Sequence, residues 1–572
     1  MLTGCSPGNE TQQADDAIAA ADRVLTSGKI YTVDAGKPWA EAVAIRGDRF
    51  VFVGDDDGAR EYIGKSTTVT DLDARLVIPG IIDGHTHPGY IDLEQYGPPL
   101  PETSHEDMLA ALKDYAEQNP DKKWIRMCCW PVERYVRDGK GPHKRDLDDV
   151  VPDRPVWIGS SAWHSAWLNS KALEVIGVDN GTPDPQPGVA IYARDESGEL
   201  TGWVKEGAGW QHFAAQFDVD APMQTASIEA FLRTLSEHGV TTVYDAGNFG
   251  YGDHVYGFVA QLEKDGKLPL RYEGTYQIYV PERRQHAITE MKRLQDTYGG
   301  ERLKFRTVKL FMDGVVENRS GAMLEPYSDA PGQSGGTMLS VDELRDFLVE
   351  LHHEKFDIHI HAIGDHAVRD ALDAVEAARA AVEGELYPRV TLSHLQYMDA
   401  AELPRFAELD VSANFTPWWH GYDGEDSAHS GLGTARSSLT YLARPLFDTG
   451  GNVTFSSDEW ALDVLTPFLG MQVGHTRKYP DDWQDRVDVS TTRLPESEQL
   501  DLELMLRGYT INGAYPFRME DSIGSIEAGK LADLVVLDDN LFEMDPETIH
   551  KIKPAAVMME GKVIHGTLDG AD

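Results

Sequence analysis

Val77-Ile78-Pro79-Gly80-Ile81-Ile82-Asp83-Gly84-His85-Thr86-His87 is the stretch on which the reading of this chain turns. It begins as a short apolar run of β type and is punctuated by Gly80 and by Asp83-Gly84. It ends in two histidines two residues apart, and in an extended segment positions i and i+2 face the same way. Both imidazoles can therefore reach one metal ion. Taking Leu76-Val77-Ile78 as a first strand, seven further β-type runs follow. They are Val240–Tyr244, Leu270–Thr275, Phe305–Leu310, Ile358–His361, Val390–His394, Val411–Ala413 and Val453–Ser456. Helical stretches at 223–238, 341–355, 365–381 and 437–449 separate most of them. Repeated strand–helix units imply a parallel sheet with helices outside it, and eight strands is the count of a (β/α)8 TIM-like barrel.

Residues 88–222 do not fit that repeat, being far longer than one crossover helix needs. They contain a helical stretch at 105–118, strand-like Trp124–Met127 and Val156–Ile158, and a hairpin turn at Asp195-Glu196-Ser197-Gly198. This is read as an inserted α+β subdomain after strand one. Both ends of the chain have a different texture. Short β runs with glycine turns fill 22–76, and similar runs, Ala532–Leu537 and Ala556–Met559, fall within 518–566. The expected organisation is a tether over 1–21, a composite β-sandwich built from 22–76 and 518–566, and a barrel over 77–517.

Composition narrows the function. The chain of 572 residues carries 95 acidic against 52 basic residues, a formal charge of −43 spread along its length, which argues against nucleic acid as a partner. No run of 18 apolar residues occurs, so no membrane-spanning helix is encoded. Three cysteines make no disulfide framework, and adjacent Cys128 and Cys129 are read as two faces of a strand rather than a redox pair. Leu2-Thr3-Gly4-Cys5 resembles a bacterial lipobox and is followed by a polar, tether-like stretch. The expectation is a lipid anchor at Cys5 and a periplasmic or membrane-tethered protein, or a cytoplasmic one if that match is chance. A homo-oligomer is also expected.

Residues able to do chemistry collect at the C-terminal ends of the expected strands, where a barrel gathers its site. His85 and His87 follow the first strand, Lys309 lies near the end of the fourth, His361 ends the fifth, His394 ends the sixth, and Asp458 follows the eighth. Imidazoles with a carboxylate suit zinc or a similar divalent ion. A single buried histidine is more often a core residue; four at strand ends with an aspartate point to a site. His359 shares a strand face with His361 and is assigned to a supporting layer or the core. Asp245 is read mainly as a turn residue, whereas Asp313 and Asp365 are read equally as loop caps or as site residues.

These residues carry a resemblance. Val77–His87 is similar to the start of the amidohydrolase superfamily barrel, and Gly524–Leu537 to that superfamily's return into its β-domain. His164–Leu173, Lys309–Gly314, His361–Asp365 and Ser393–Gln396 resemble the YtcJ-like branch, which includes N-substituted formamide deformylases. The resemblance runs from about residue 23 to 566. It implies that His85, His87 and Asp458 bind one metal and that His361 and His394 bind a second. Lys309 would be a carboxylated lysine bridging the two; without that modification a single metal is expected. It further implies metal-activated hydroxide attack on a C–N bond of an N-acyl or N-formyl amide, with Asp458 as general base and acid.

The small-molecule substrate would meet aromatic residues just past strand ends. Trp418, Trp419 and Trp460 are expected to line its pocket, with His164 closing it from the insert. The seven tryptophans between Trp124 and Trp210 are expected mostly to form the insert's own core. Hydrolysis of a cyclic amide, a carbamate or an ester, and a non-catalytic binding or regulatory role on the same barrel, stand as the alternatives.

Overall fold

Alternating strands and helices over most of the chain build a closed barrel in the computed structural model. The structure describes residues 19–568 other than 91–96, 102, 133–140, 218–220, 422–430, 438, 460–465, 485, 486 and 488. Cys5 and Trp460 lie outside the described residues.

Eight parallel positions make up the barrel wall. They are Ile81–Thr86, Val240–Asp245, Arg271–Glu273 continued by Gln277–Ile278, Thr307–Phe311, Asp357–Ala362, Val390–His394, Val411–Phe415 and Asn452–Phe455. Neighbours pair in parallel around the ring. Closure comes just beyond the eighth strand, where Asp458 N donates to His85 O at 2.9 Å and His87 N to Glu459 O at 2.8 Å. That seam puts Asp458 directly beside the two histidines. The strands are buried on both faces, as parallel strands between a filled interior and a helical shell must be.

The outer helices follow from amphipathic spacing. Val341–Glu354 opens with Ser340 and Glu343 in a reciprocal capping box and buries Leu344, Phe347, Leu348 and Leu351. Each such side chain is worth about 1.5–3 kcal/mol on burial. Asp365–Ala381 packs beside it in the same way. The helix expected over 437–449 is shorter, Ala443–Asp448. The backbone before it is not helical: Thr440 bridges to Tyr397, and Tyr441 has a left-handed φ of 56°.

One strand assignment changes. Leu76–Pro79 is not the first barrel strand. It pairs with Lys29–Tyr31 on one side and with Leu534–Leu537 on the other, inside a six-stranded sheet shared by both chain ends. The barrel begins at Ile81, so the boundary falls at Gly80 rather than before Val77. The apolar run 76–82 reads as continuous, yet Gly80 divides it between two domains. A Cβ at Gly80 would lie 2.6 Å from Thr241 Oγ1, so only glycine lets the chain cross there. A second sheet, of four strands within 23–71, completes the sandwich.

The insert folds around its own five-stranded sheet, in the order Ile191–Arg194, Leu200–Lys205, Ser165–Leu168, Val156–Ser160 and Ile125–Trp130. Trp130, Trp157, Trp167 and Trp203 are buried in its cores. Cys128 and Cys129 do not take opposite strand faces: their sulfurs are bonded to each other, and Cys129 turns to a φ of 73°. An alternating strand would place the two side chains apart, and that positive φ removes the alternation.

Candidate metal centre

The strand ends bring their histidines together at the mouth of the barrel. His85 Nε2 and His87 Nε2 lie 3.5 and 3.3 Å from Asp458 Oδ1. Among the described residues, these three form the one set of at least three His, Cys, Asp or Glu side chains whose donor atoms all fall within 4.8 Å of one another. Each is held from behind. His87 Nδ1 meets Gly247 O at 3.0 Å, and His85 Nδ1 meets His359 Nε2 at 3.0 Å. Asp83, two residues before His85, accepts from Ser457 Oγ and N at 2.6 and 3.0 Å. It thereby ties strand one to the residue preceding Asp458. Burial pushes Asp83 up to about 6.

The remaining strand-end residues continue the cluster. The ring centres of His85 and His394 lie 4.8 Å apart, and those of His394 and His361 4.7 Å apart. His394 Nδ1 is 3.8 Å from Asp458 Oδ2 and is buried without a hydrogen-bond partner among the described residues. Lys309 is fully buried with Nζ 3.3 Å from His85 Nε2, and burial pulls it down to about 7. Burial, reinforced by Lys309 and neighbouring imidazoles, holds His85, His359, His361 and His394 well below the ordinary histidine value. Neutral imidazole is the form that binds a metal.

Asp245, Asp313 and Asp365 separate by position. Asp313 meets His361 Nδ1 at 3.2 Å and accepts from the backbone N–H groups of Ala322, Ile363 and Gly364. It orients a cluster histidine, and burial pushes it up to about 7. Asp365 accepts from Leu324 N, and Asp245 from Gly247 N and Tyr272 Oη, so both serve loops and core. His359 lies one layer below His361, stacked on Tyr244 and touching His85.

Above the cluster opens a cavity of about 460 Å³. Trp418 and Trp419 line it, and Trp419 stacks on His394 with ring centres 5.3 Å apart. His164 enters from the insert, its ring 5.5 Å from that of His361. Its Nδ1 is 2.5 Å from Glu206 Oε2. Burial alone would lower His164, but the charge and hydrogen bond of Glu206 outweigh it and raise it. Burial would raise Glu206, but His164 holds it below the usual carboxylate range. Trp163 and Trp210 also face the cavity, unlike the four insert tryptophans in the cores, as do Phe249 and Phe311. Sequence reasoning missed Glu206, Trp210 and Phe311. Phe311, at the end of a barrel strand beside Lys309, was within its reach.

The donor set fits a divalent cation. Two imidazoles and a carboxylate are the nitrogen and oxygen ligands that zinc and similar ions take, with positions left open. The orphaned His394 Nδ1, beside Asp458 and His361, fits a second ligand position, because a buried nitrogen without a partner otherwise costs about 1–3 kcal/mol.

Residues 68–565 match a family described as "Amidohydrolase family". The chain is 30% identical to the exoenzymes regulatory protein AepA of Pectobacterium carotovorum subsp. carotovorum, over 73% of this chain and 89% of that protein. It is 25% identical to the N-substituted formamide deformylase of Arthrobacter pascens, over 90% of this chain and 93% of that protein. Its fold is similar to the crystal structure of an uncharacterized metal-dependent hydrolase from Pyrococcus horikoshii. There the TM-score is 0.65 at 22% identity, covering 92% of this chain and 99% of that one.

Proposed function

The chain belongs to the amidohydrolase family and is a hydrolase, and we propose that the bond it cleaves is the C–N bond of an N-acyl or N-formyl amide. The observation that carries this reading is the His85–His87–Asp458 set at the floor of an aromatic cavity. His85, His87 and Asp458 would hold one divalent ion, and His361 with His394 a second. Lys309, buried beside His85, would bridge the two as a carbamate, since a protonated ammonium is no ligand. When bound, such an ion lowers the pKa of water toward neutral and polarises a carbonyl oxygen. Asp458 takes the proton from the attacking water and returns it to the leaving nitrogen as the C–N bond breaks. Trp418 and Trp419 take up the apolar part of the substrate, which the cavity's size suits. The similarity to a formamide deformylase supports an N-substituted amide.

The test is release of amine by the zinc-loaded protein across N-substituted formamides and acetamides, with cyclic amides, carbamates and esters alongside. The expected result is fastest turnover among the linear amides. Turnover confined to the other classes would overturn the bond assignment. The similarity to a regulatory protein supports a second reading, a binding role on the same barrel. No turnover with zinc or manganese would favour it. The lipid tether at Cys5 belongs to the same proposal, and intact-mass measurement of protein from the full-length gene tests it.

A further inference from the structure

Several contacts tie the insert to the barrel, including Lys205 Nζ to Asn318 O and Gln186 Nε2 to Thr337 O, and among them one residue is held in an unusual conformation. Glu206 follows the strand Leu200–Lys205 and precedes the helix Gly207–Gln216, with φ 52° and ψ −140°, which L residues rarely adopt. Its carboxylate is buried and accepts from Ser320 Oγ at 2.6 Å and Asn318 Nδ2 at 2.9 Å, both on the loop after barrel strand four, as well as from His164 Nδ1. Its backbone N–H donates to His164 O at 2.7 Å. The next residue must be glycine, because a Cβ on Gly207 would sit 1.7 Å from Tyr279 O. Such backbone strain persists where surrounding contacts over-determine it, characteristically at functional sites.

What this arrangement fixes is His164. Nδ1 is taken by Glu206, so Nε2 is the nitrogen left for the cavity. The cluster rings run His87, His85, His394, His361, His164, with successive centres 5.3, 4.8, 4.7 and 5.5 Å apart. His164 thus adjoins the cluster at His361 and enters the cavity from the insert. We propose that His164 is a catalytic residue whose Nε2–H hydrogen-bonds the carbonyl oxygen of the bound amide and the tetrahedral oxyanion formed from it, and that Glu206 is the positioning residue that holds the ring there. A carboxylate on the far nitrogen stabilises positive charge on the imidazole, and a preoriented donor of that kind is worth most where negative charge develops. The bland alternative is a latch that only fastens the insert to the barrel.

The inference rests on the hydrolase reading, and its test does not depend on turnover. Benzylphosphonate, a tetrahedral anion with an aryl arm, is titrated into zinc-loaded wild type, H164F, H164Q and E206Q. Benzyl alcohol serves as the neutral probe of the same cavity. H164F should weaken phosphonate binding about 10- to 100-fold, E206Q about 10-fold, and H164Q, which keeps a neutral donor, by less than H164F. Benzyl alcohol binding, zinc content and the melting temperature of H164Q should stay at wild-type levels. A latch would weaken both probes alike. That result, unchanged phosphonate affinity in H164F and H164Q, or no phosphonate binding by wild type would overturn the proposal. Phosphonate binding that responds as expected while no amide is turned over would sink the hydrolase reading and leave the His164 contact standing.

Discussion

The barrel mouth and the inserted subdomain supply the two sides of one cavity by different means. His85, His361 and His394 lie on barrel strands, Lys309 on the fourth, and Asp458 follows the eighth across the closing seam. Their positions follow from strand register. His164, Trp163 and Trp210 come from a separate fold with its own sheet and cores, fastened to the barrel by Glu206 among other contacts. The difference confines ion binding to the barrel side, whereas both sides meet the substrate, Trp418 and Trp419 coming from the loop after barrel strand seven. The barrel side is built from neutral imidazoles and a carboxylate, whereas the insert side offers aromatic faces and one histidine paired with a carboxylate.

That division can be broken most sharply at the barrel side. Asp458→Ala or His85→Ala should abolish stoichiometric metal and lower turnover by about 1,000-fold or more, checked by elemental analysis and amine release. Next comes the insert. His164→Phe should keep its metal yet lose about 100-fold in kcat, in line with removal of one oxyanion donor. Metal loss in that variant would erase the distinction between the two sides. A smaller effect is expected from Trp210→Ala, whose ring lies 4.5 Å from that of Phe249 and 4.9 Å from that of Phe311. For an aryl amide, KM should rise about 10-fold with kcat nearly unchanged, because apolar contact is lost while the reacting atoms are not touched.

How much of this was legible in the sequence also divides along the same line. Val77–His87, Ile358–His361 and Val390–His394 reveal their site residues through strand periodicity and through the family they resemble. The error within that region came from Gly80. Periodicity alone cannot show that one apolar run changes sheet midway, and the close approach to Thr241 that demands the glycine is a tertiary fact. Glu206 carries no local signal. It reads as the polar end of a strand and becomes a site residue only because the fold brings it to His164, 42 positions away. The insert tryptophans are alike in sequence, yet Trp167 is core and Trp210 faces the cavity. The pairing of Cys128 with Cys129 depends on a positive φ that composition does not encode.

The smallest expected effect sharpens the account of Lys309. Burial lowers it from 10.5 to about 7 in the folded protein. Between those values the unfolded chain binds the proton and the folded protein does not, so this group makes stability rise with pH across that window. Below about 7 both states are protonated, and the folded state carries a buried ammonium in full. In the chelated protein, Lys309→Met should therefore raise the melting temperature by about 2–4 °C at pH 6, and the gain should shrink as pH climbs toward 10. A gain independent of pH would show that packing, not charge, is responsible.

The most direct test of the central claim is metal content per chain, measured by elemental mass spectrometry on protein purified without chelators. The account predicts at least one equivalent of a divalent ion in wild type, and two where Lys309 is carboxylated. It predicts loss of the ion in His85→Ala and Asp458→Ala and its retention in His164→Phe. Wild-type protein that is metal-free and cannot be reconstituted, or an Asp458→Ala variant that keeps its full complement, would contradict it.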